Sequence, residues 1–149
     1  MSMHILLVDD DIDDIDLFRE AVSEIDSTIC CDIAYNGKEA LDKLSAEEVP
    51  IPGLIFLDVN MPKMNGWDCL AALKHAPAYK HIPVIMYSTS TNAREDHLAG
   101  DSGALHFFVK PNDYFVLRSI LATIIAHLKQ ERFKIFQRPF NVGYKCANA

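Results

Sequence analysis

Apolar residues along the chain gather into five short runs that contain almost no polar positions. A strand with one solvent-exposed face alternates apolar and polar residues. Unbroken apolar runs therefore indicate strands that are buried on both faces, as in a parallel sheet. The runs predict strands over residues 4–8, 29–35, 54–58, 84–88 and 105–109.

Between these runs the apolar residues recur at steps of three and four, the spacing that places side chains on one face of a helix. After the first strand the pattern is carried by Ile12, Ile15, Phe18, Val22 and Ile25. The fourth helical pattern is weak and polar. The spacing predicts helices over residues 12–25, 37–44, 66–75, 93–99 and 113–129.

Strands that alternate with helices require right-handed crossover connections, which produce a parallel sheet covered on both faces. Five such units fit the flavodoxin-like (βα)5 fold, a doubly wound sheet with the strand order 2-1-3-4-5. A chain of 149 residues is long enough for one domain of ordinary size. We therefore predict an α/β domain over residues 1–130 and a C-terminal tail over residues 131–149, into which the pattern of the last helix can extend.

Reactive polar residues stand at the C-terminal ends of four predicted strands. Asp9 and Asp10 follow the first strand, Asp58 ends the third, Ser88 ends the fourth and Lys110 follows the fifth. The predicted fold gathers these strand ends along one edge of the sheet, and ligands of open parallel sheets bind there. Four distant segments are thus expected to form one site.

The charges of this site indicate its chemistry. Carboxylates that are brought close together repel, and each close pair costs about 4 kcal/mol at an effective dielectric constant of about 20. Lys110 alone cannot neutralise three of them, whereas Mg²⁺ is held by a few carboxylates and leaves positions open for phosphate oxygens. A rigid Asp58 can attack phosphorus, while Mg²⁺, Lys110 and Ser88 stabilise the transferring phosphoryl group. Singly, each residue is more typical of a solvated helix start, a surface lysine or a turn.

Four segments of the sequence resemble the receiver domain of two-component response regulators in their order and spacing. The resemblance covers about residues 4–129. Within the family it is similar to small stand-alone receivers, both chemotaxis-regulator-like ones and those paired with bacterial phytochromes. The segments are Leu7-Val8-Asp9-Asp10, Leu57-Asp58-Val59-Asn60-Met61-Pro62, Ser88-Thr89 and Val109-Lys110-Pro111.

The resemblance implies a single-domain response regulator, in which Asp58 accepts a phosphoryl group from a phosphohistidine on a sensor histidine kinase or phosphotransfer protein. It implies Mg²⁺ as cofactor, held by Asp10, Asp58 and the Asn60 carbonyl, with Asp9 helping through water. Apart from self-catalysed phosphoryl uptake and slow autodephosphorylation, no enzymatic turnover is expected. Signalling would then pass through protein contacts or a phosphorelay.

Further roles follow from the resemblance for the remaining residues of the motif. Lys110 would pair with the acceptor or with its phosphoryl group. Ser88, followed by Thr89, stands at the switch position, and Phe107 stands at the aromatic switch position that turns inward behind it. A cis Lys110–Pro111 bond is usual in the family, although sequence alone gives the cis form only a small fraction of X–Pro bonds.

Composition excludes several other classes of protein. A formal net charge of −7 argues against a nucleic-acid surface. No apolar run approaches the roughly 20 residues of a membrane span, and no secretory signal opens the chain. The four cysteines lack metal-site spacing, so we interpret them as reduced packing residues. These features predict a cytoplasmic protein without a membrane or nucleic-acid partner.

Two other metal sites share part of this pattern. Residues 9–20 approach an EF-hand calcium loop, but Asp14 occupies its sixth position, where the sharp turn requires Gly. A haloacid-dehalogenase-like phosphohydrolase also combines a nucleophilic Asp, a Ser or Thr, a Lys and Mg²⁺. That class places a second Asp two residues after the nucleophile as its acid/base, and this chain has Asn60 there. A degenerate receiver that acts only as a binding module is a further alternative.

The C-terminal part of the sequence leaves two interpretations open. Too few residues follow residue 129 for a DNA-binding domain, so no effector domain is expected. The last predicted helix is more apolar than one buried face requires. Its apolar surface, with the tail, either folds back on its own domain or forms a homodimer or partner interface.

Overall fold

The computed structural model describes residues 3–89 and 103–135, with side chains up to residue 130. Five parallel strands form one sheet in the order β2-β1-β3-β4-β5. This is the predicted order, and the strand positions agree with the apolar runs except that β2 and β5 are shorter by one or two residues. The strands are β1 (His4–Val8), β2 (Cys30–Ala34), β3 (Leu54–Asp58), β4 (Val84–Ser88) and β5 (His106–Val109).

Four helices are described between and after the strands. The predicted helix over residues 93–99 lies outside the described residues. The last helix extends past residue 129 to Ile135. No described helix is long and apolar enough to cross a membrane. The helices are α1 (Ile12–Ile25), α2 (Gly37–Ser45), α3 (Gly66–His75) and α4 (Tyr114–Ile135).

Polar side chains fix the starts of the first three helices. Asp11, Asn36 and Asn65 each accept a hydrogen bond from the backbone N–H three residues later, at 3.2, 2.8 and 2.9 Å. These bonds satisfy N–H groups that have no partner inside the helix. Each cap follows a strand end or a turn by a few residues, so the caps determine where the chain leaves the site and becomes helical.

The sheet separates two apolar cores, as a doubly wound fold requires. Phe18 of α1 and Leu121 of α4 pack on Phe56 and its neighbours on one face. Leu44 of α2 and Leu70 of α3 pack on the other face. Every residue of β3 is buried, as its unbroken apolar sequence predicts. Burial on both faces makes β3 a rigid support for the residue at its end.

The cysteines that the structure describes are part of these cores. Cys30, Cys31 and Cys69 are buried and reduced, in agreement with the interpretation as packing residues. Burial raises the pKa of the Cys69 thiol to about 12, so this thiol stays protonated and unreactive. The fourth cysteine, Cys146, lies outside the described residues.

Candidate functional site

The ends of β3, β4 and β5 are brought together by backbone hydrogen bonds that continue the sheet by one residue. In the strand register Asp58 lies opposite Tyr87, the residue before Ser88. The N–H of Val59 donates to the Tyr87 carbonyl at 3.2 Å, and the N–H of Lys110 donates to the Ser88 carbonyl at 2.7 Å. Asp58, Ser88 and Lys110 are therefore anchored by the sheet itself rather than by loops.

Three carboxylates meet at this edge. Asp9, Asp10 and Asp58 each offer an oxygen within 4.8 Å of the others. Asp9 is fully buried, Asp58 is 5% exposed and Asp10 is exposed to solvent. Carboxylate oxygens are the ligands that hard divalent cations such as Mg²⁺ prefer. A cluster with two buried members and one exposed member fits a cation that keeps contact with water.

Lys110 lies among the carboxylates, and its side chain is 11% exposed. Its Nζ is 2.9 Å from both Asp9 Oδ2 and Asp14 Oδ2, but 3.5 Å from Asp58 Oδ2. Burial acts to lower the pKa of Lys110, but its hydrogen bonds to Asp14 and Asp9 outweigh this effect and raise it. The ammonium is thus a permanent positive charge that is held mainly by two neighbours of the predicted acceptor.

Asp58 is held in an environment that disfavours its charge. Burial raises its pKa to about 7, the nearby Lys110 ammonium opposes the rise, and the Asp9 carboxylate adds to it. Without a metal ion, Asp58 is therefore partly protonated near neutral pH instead of fully ionised. A divalent cation would remove this penalty, because it supplies the positive charge that one lysine cannot.

The remaining predicted residues lie on or directly after β4, on β5 and in the loop after β3. Ser88 is fully buried at the end of β4, and Thr89 after it is exposed. Asn60 is exposed in the loop two residues after Asp58. Phe107 of β5 is half-buried and stacks on Trp67 of α3, with ring centroids 6.5 Å apart and planes inclined by 10°.

Two residues of this site did not stand out in the sequence. The Tyr87 hydroxyl donates to Asp9 Oδ2 at 2.5 Å, and Lys110 Nζ lies 4.6 Å from the centroid of the same ring. Burial raises the pKa of Tyr87 well above its usual range, with the Asp9 charge as a further cause. Asp14, which drew attention only as a misfit in a calcium loop, pairs with Lys110. A buried tyrosine beside a switch-position serine was the available signal, because a buried hydroxyl needs a partner.

One expectation from the resemblance is wrong. The Lys110–Pro111 bond is trans, since no described peptide bond is cis. Trans is the form that an X–Pro bond favours by about 0.5–1 kcal/mol. With this geometry Lys110 still reaches Asp9 and Asp14 at hydrogen-bond distance.

The sequence profile of the response regulator receiver domain matches residues 5–122. This chain belongs to that family. The receiver includes all five strands, so the resemblance that the motifs suggested is confirmed. The haloacid-dehalogenase alternative is thereby set aside, and the helical conformation of Ile12–Ile25 is incompatible with a calcium loop over residues 9–20.

Individual relatives agree with this assignment. A probable cyclic di-GMP phosphodiesterase of Vibrio cholerae is 33% identical over 130 residues, which cover 87% of this chain but 27% of that protein. The chain thus spans about a quarter of that relative's length. The structure of the phosphorylated cyanobacterial phytochrome response regulator RcpA is 29% identical, with a TM-score of 0.81 and coverage of 88% and 96% of the two chains. The Mn²⁺-bound response regulator Rcp1 is 28% identical, with a TM-score of 0.70 and coverage of 94% and 99%.

Proposed function

We propose that this receiver accepts a phosphoryl group on Asp58 from the phosphohistidine of a sensor histidine kinase or phosphotransfer protein. The observation that carries the proposal is the position of Asp58. It ends a strand buried on both faces, lies within 4.8 Å of two other carboxylates and has a lysine ammonium at 3.5 Å. Such a carboxylate is fixed at the sheet edge, beside a lysine that can bind phosphate oxygens and two carboxylates that can hold a cation.

The residues present fit a Mg²⁺ ion. We assign Asp10, Asp58 and the Asn60 carbonyl as its direct ligands and Asp9 as a ligand through water. The bound cation would neutralise charge on the acceptor and on the phosphoryl oxygens. The Mn²⁺-bound form of Rcp1 supports a divalent cation in a relative of this chain.

Phosphoryl transfer would proceed by in-line displacement. A carboxylate oxygen of ionised Asp58 forms a bond to phosphorus as the bond from phosphorus to the donor imidazole nitrogen breaks, and that nitrogen keeps the electron pair. Lys110 then exchanges its contact with Asp14 for one with a phosphoryl oxygen. The Ser88 hydroxyl donates to another oxygen, and Thr89 is the next residue after the end of β4.

The response to phosphorylation would pass from Ser88 to Phe107. Ser88 moves toward the phosphoryl group, and Phe107 leaves its stack on Trp67 and turns toward the space behind Ser88. Asn60 stands where a phosphohydrolase has its acid/base, so the aspartyl phosphate persists and the protein acts as a switch rather than a turnover enzyme.

We propose protein contacts as the output, with a homodimer through α4 and residues 131–149 as one form. Phe115 and Val116 at the start of α4 are 64% and 47% exposed, which supports a contact surface on this helix. Light scattering of the full chain and of a chain that ends at Lys129 tests the dimer. An unchanged oligomeric state after truncation would contradict it.

The test of phosphoryl transfer is the intact mass after incubation with acetyl phosphate and Mg²⁺, and separately with a phosphorylated histidine kinase. We expect the gain of one phosphoryl group, its loss in Asp58→Asn and its absence when EDTA replaces Mg²⁺. Asp10→Asn is a second variant that keeps the acceptor and should reduce uptake by weakening the metal. If neither donor modifies Asp58, the degenerate receiver, a binding module without phosphoryl chemistry, becomes the better description.

A further inference from the structure

Asp9 is fully buried, and its two oxygens have different surroundings. Oδ2 accepts the Tyr87 hydroxyl at 2.5 Å and Lys110 Nζ at 2.9 Å. Within the described part of the chain, Oδ1 accepts one hydrogen bond, from the Asp11 N–H at 3.0 Å. A carboxylate has about four lone-pair sites, two on each oxygen. These three hydrogen bonds fill both sites of Oδ2 and one site of Oδ1, and the Asp58 carboxyl is a further side-chain neighbour of Asp9.

Tyr87 is itself held firmly. Its side chain is 3% exposed, and its ring stacks on Phe108 with centroids 5.7 Å apart and meets Phe56 edge-on at 6.4 Å. Because Tyr87 pairs with Asp58 in the sheet register, its backbone is tied to the strand that carries the proposed acceptor. The hydroxyl is thus a hydrogen-bond donor on a rigidly held side chain, and it is directed at one oxygen of Asp9.

We propose that Tyr87 is a positioning residue that makes the receiver selective for Mg²⁺ over Ca²⁺. The inference rests on the proposed function, because it assumes that Asp9 orients a water of the metal bound at Asp58. By holding Oδ2, the hydroxyl would restrict the orientation of the Asp9 carboxylate and so the position of a water that this carboxylate holds for the metal.

Selectivity follows from the different demands of the two ions. Mg²⁺ requires near-ideal octahedral geometry at about 2.0–2.1 Å and keeps several waters, whereas Ca²⁺ accepts irregular shells of about 6–8 oxygens at longer distances. A fixed Asp9 suits the first ion. A carboxylate that can rotate would accommodate the second more easily.

The hydroxyl can be separated from the ring. Tyr87→Phe keeps the contacts with Phe56, Phe108 and Lys110 and removes one of three donors to Asp9. A hydrogen bond to a charged group is stronger than one between neutral groups, so its loss is large enough to change the orientation of the carboxylate. Tyr79→Phe is the matched control, because Tyr79 packs half-buried in the core of the opposite sheet face.

The experiment is to measure the dissociation constants of Mg²⁺ and Ca²⁺ for the full chain and both variants by calorimetry. We expect the ratio of the Ca²⁺ constant to the Mg²⁺ constant to fall about tenfold in Tyr87→Phe and to stay unchanged in Tyr79→Phe. A general loosening of the fold would weaken the binding of both ions and leave the ratio of their dissociation constants unchanged. An unchanged ratio in Tyr87→Phe would overturn the inference.

A second measurement uses the wild-type protein and does not depend on a variant. The buried Tyr87 hydroxyl proton should give a slowly exchanging NMR signal that shifts when Mg²⁺ is added. A missing signal, or one that Mg²⁺ leaves unmoved, contradicts the inference. If Asp58 takes up a phosphoryl group but the ratio of dissociation constants is unchanged in Tyr87→Phe, the role of Tyr87 is refuted and the proposed function stands. A changed ratio without uptake from any donor would leave that role and remove the proposed function.

Discussion

Gly66 lies so close to Asp58 that a β-carbon at residue 66 would stand 2.2 Å from the Asp58 carbonyl oxygen. The Gly66 N–H donates to the Val59 carbonyl at 2.9 Å, which turns the loop back onto the end of β3. The obstructing atoms belong to the backbone and cannot rotate away. The absence of a side chain at residue 66 therefore allows α3 to start against the strand that holds the proposed acceptor.

Gly66→Ala should damage stability and the site together. Making room for the methyl group displaces either α3 or the end of β3, and overpacking of this kind costs about 1–3 kcal/mol. We expect the free energy of unfolding to fall by that amount, and Mg²⁺ affinity and phosphoryl uptake to fall with it, because Asp58 moves relative to Asp10. Urea unfolding and a Mg²⁺ titration measure the two effects.

Gly37→Ala is the control for this substitution. A β-carbon at Gly37 would stand 2.8 Å from Cys69 Cβ and 3.0 Å from Met64 Cγ, which are side-chain atoms between α2 and α3. This variant should lose stability while the folded fraction keeps its Mg²⁺ affinity. Equal losses of affinity in both variants would mean that the Gly66 contact has no special relation to the site.

Removal of the Lys110 charge should tighten metal binding and lower the stability of the metal-free protein. Lys110→Met leaves Asp9, Asp14 and Asp58 without their cation, and breaking a buried ion pair costs about 3–5 kcal/mol. The same unbalanced charge attracts Mg²⁺ more strongly, so its dissociation constant should fall about tenfold. Lys38→Met, which removes an exposed cation paired with Asp42 on α2, should change neither quantity by much. Weaker Mg²⁺ binding by Lys110→Met would refute this electrostatic account.

The metal-free protein should lose stability between about pH 4 and pH 7. The fold raises the pKa of Asp58 from 3.8 to about 7, so in this interval the folded state binds more protons than the unfolded chain. The contribution of protonated Asp58 to the free energy of unfolding is full below about pH 4 and disappears as the pH rises through 7. The Asp58→Asn variant has no ionisable group at residue 58, so this part of its stability does not fall as the pH rises.

The measurement is urea unfolding in EDTA at pH 5 and at pH 8. The stability advantage of Asp58→Asn over the wild type should be larger at pH 8, by on the order of 2 kcal/mol at about 1.4 kcal/mol per pKa unit. Asp42→Asn, on the surface of α2, should show no such increase. An advantage that is the same at both pH values would show that burial does not hold a proton on Asp58.

Trp67 is the single tryptophan of the chain and should report phosphorylation. Its ring is stacked on Phe107 at 6.5 Å, so an inward turn of Phe107 exposes one face of the indole to new surroundings. We expect acetyl phosphate with Mg²⁺ to change the emission beyond the effect of Mg²⁺ alone. Phe107→Leu should abolish this change, whereas Phe115→Leu on α4 should preserve it. A full response in Phe107→Leu would rule out this path for the switch.

The sequence by itself determined the elements and the edge at which the site lies. The runs at 54–58 and 84–88, and the helical pattern at 66–75, coincide with β3, β4 and α3. Unbroken apolar runs, steps of three and four, and Asn or Asp caps are local signals that depend only on nearby residues. The alternation of strands and helices then permits few topologies, so the residues at the strand ends were predicted to meet.

The tertiary structure alone decided how those residues are paired. The Tyr87 hydroxyl and Asp9 are separated by 78 positions along the chain, and no local pattern states which of two buried groups a hydroxyl will face. Lys110 was expected beside Asp58, yet it lies closer to Asp9 and Asp14. Side-chain pairing depends on packing and charge summed over several distant elements, whereas the position of a strand end depends on the few residues that form it.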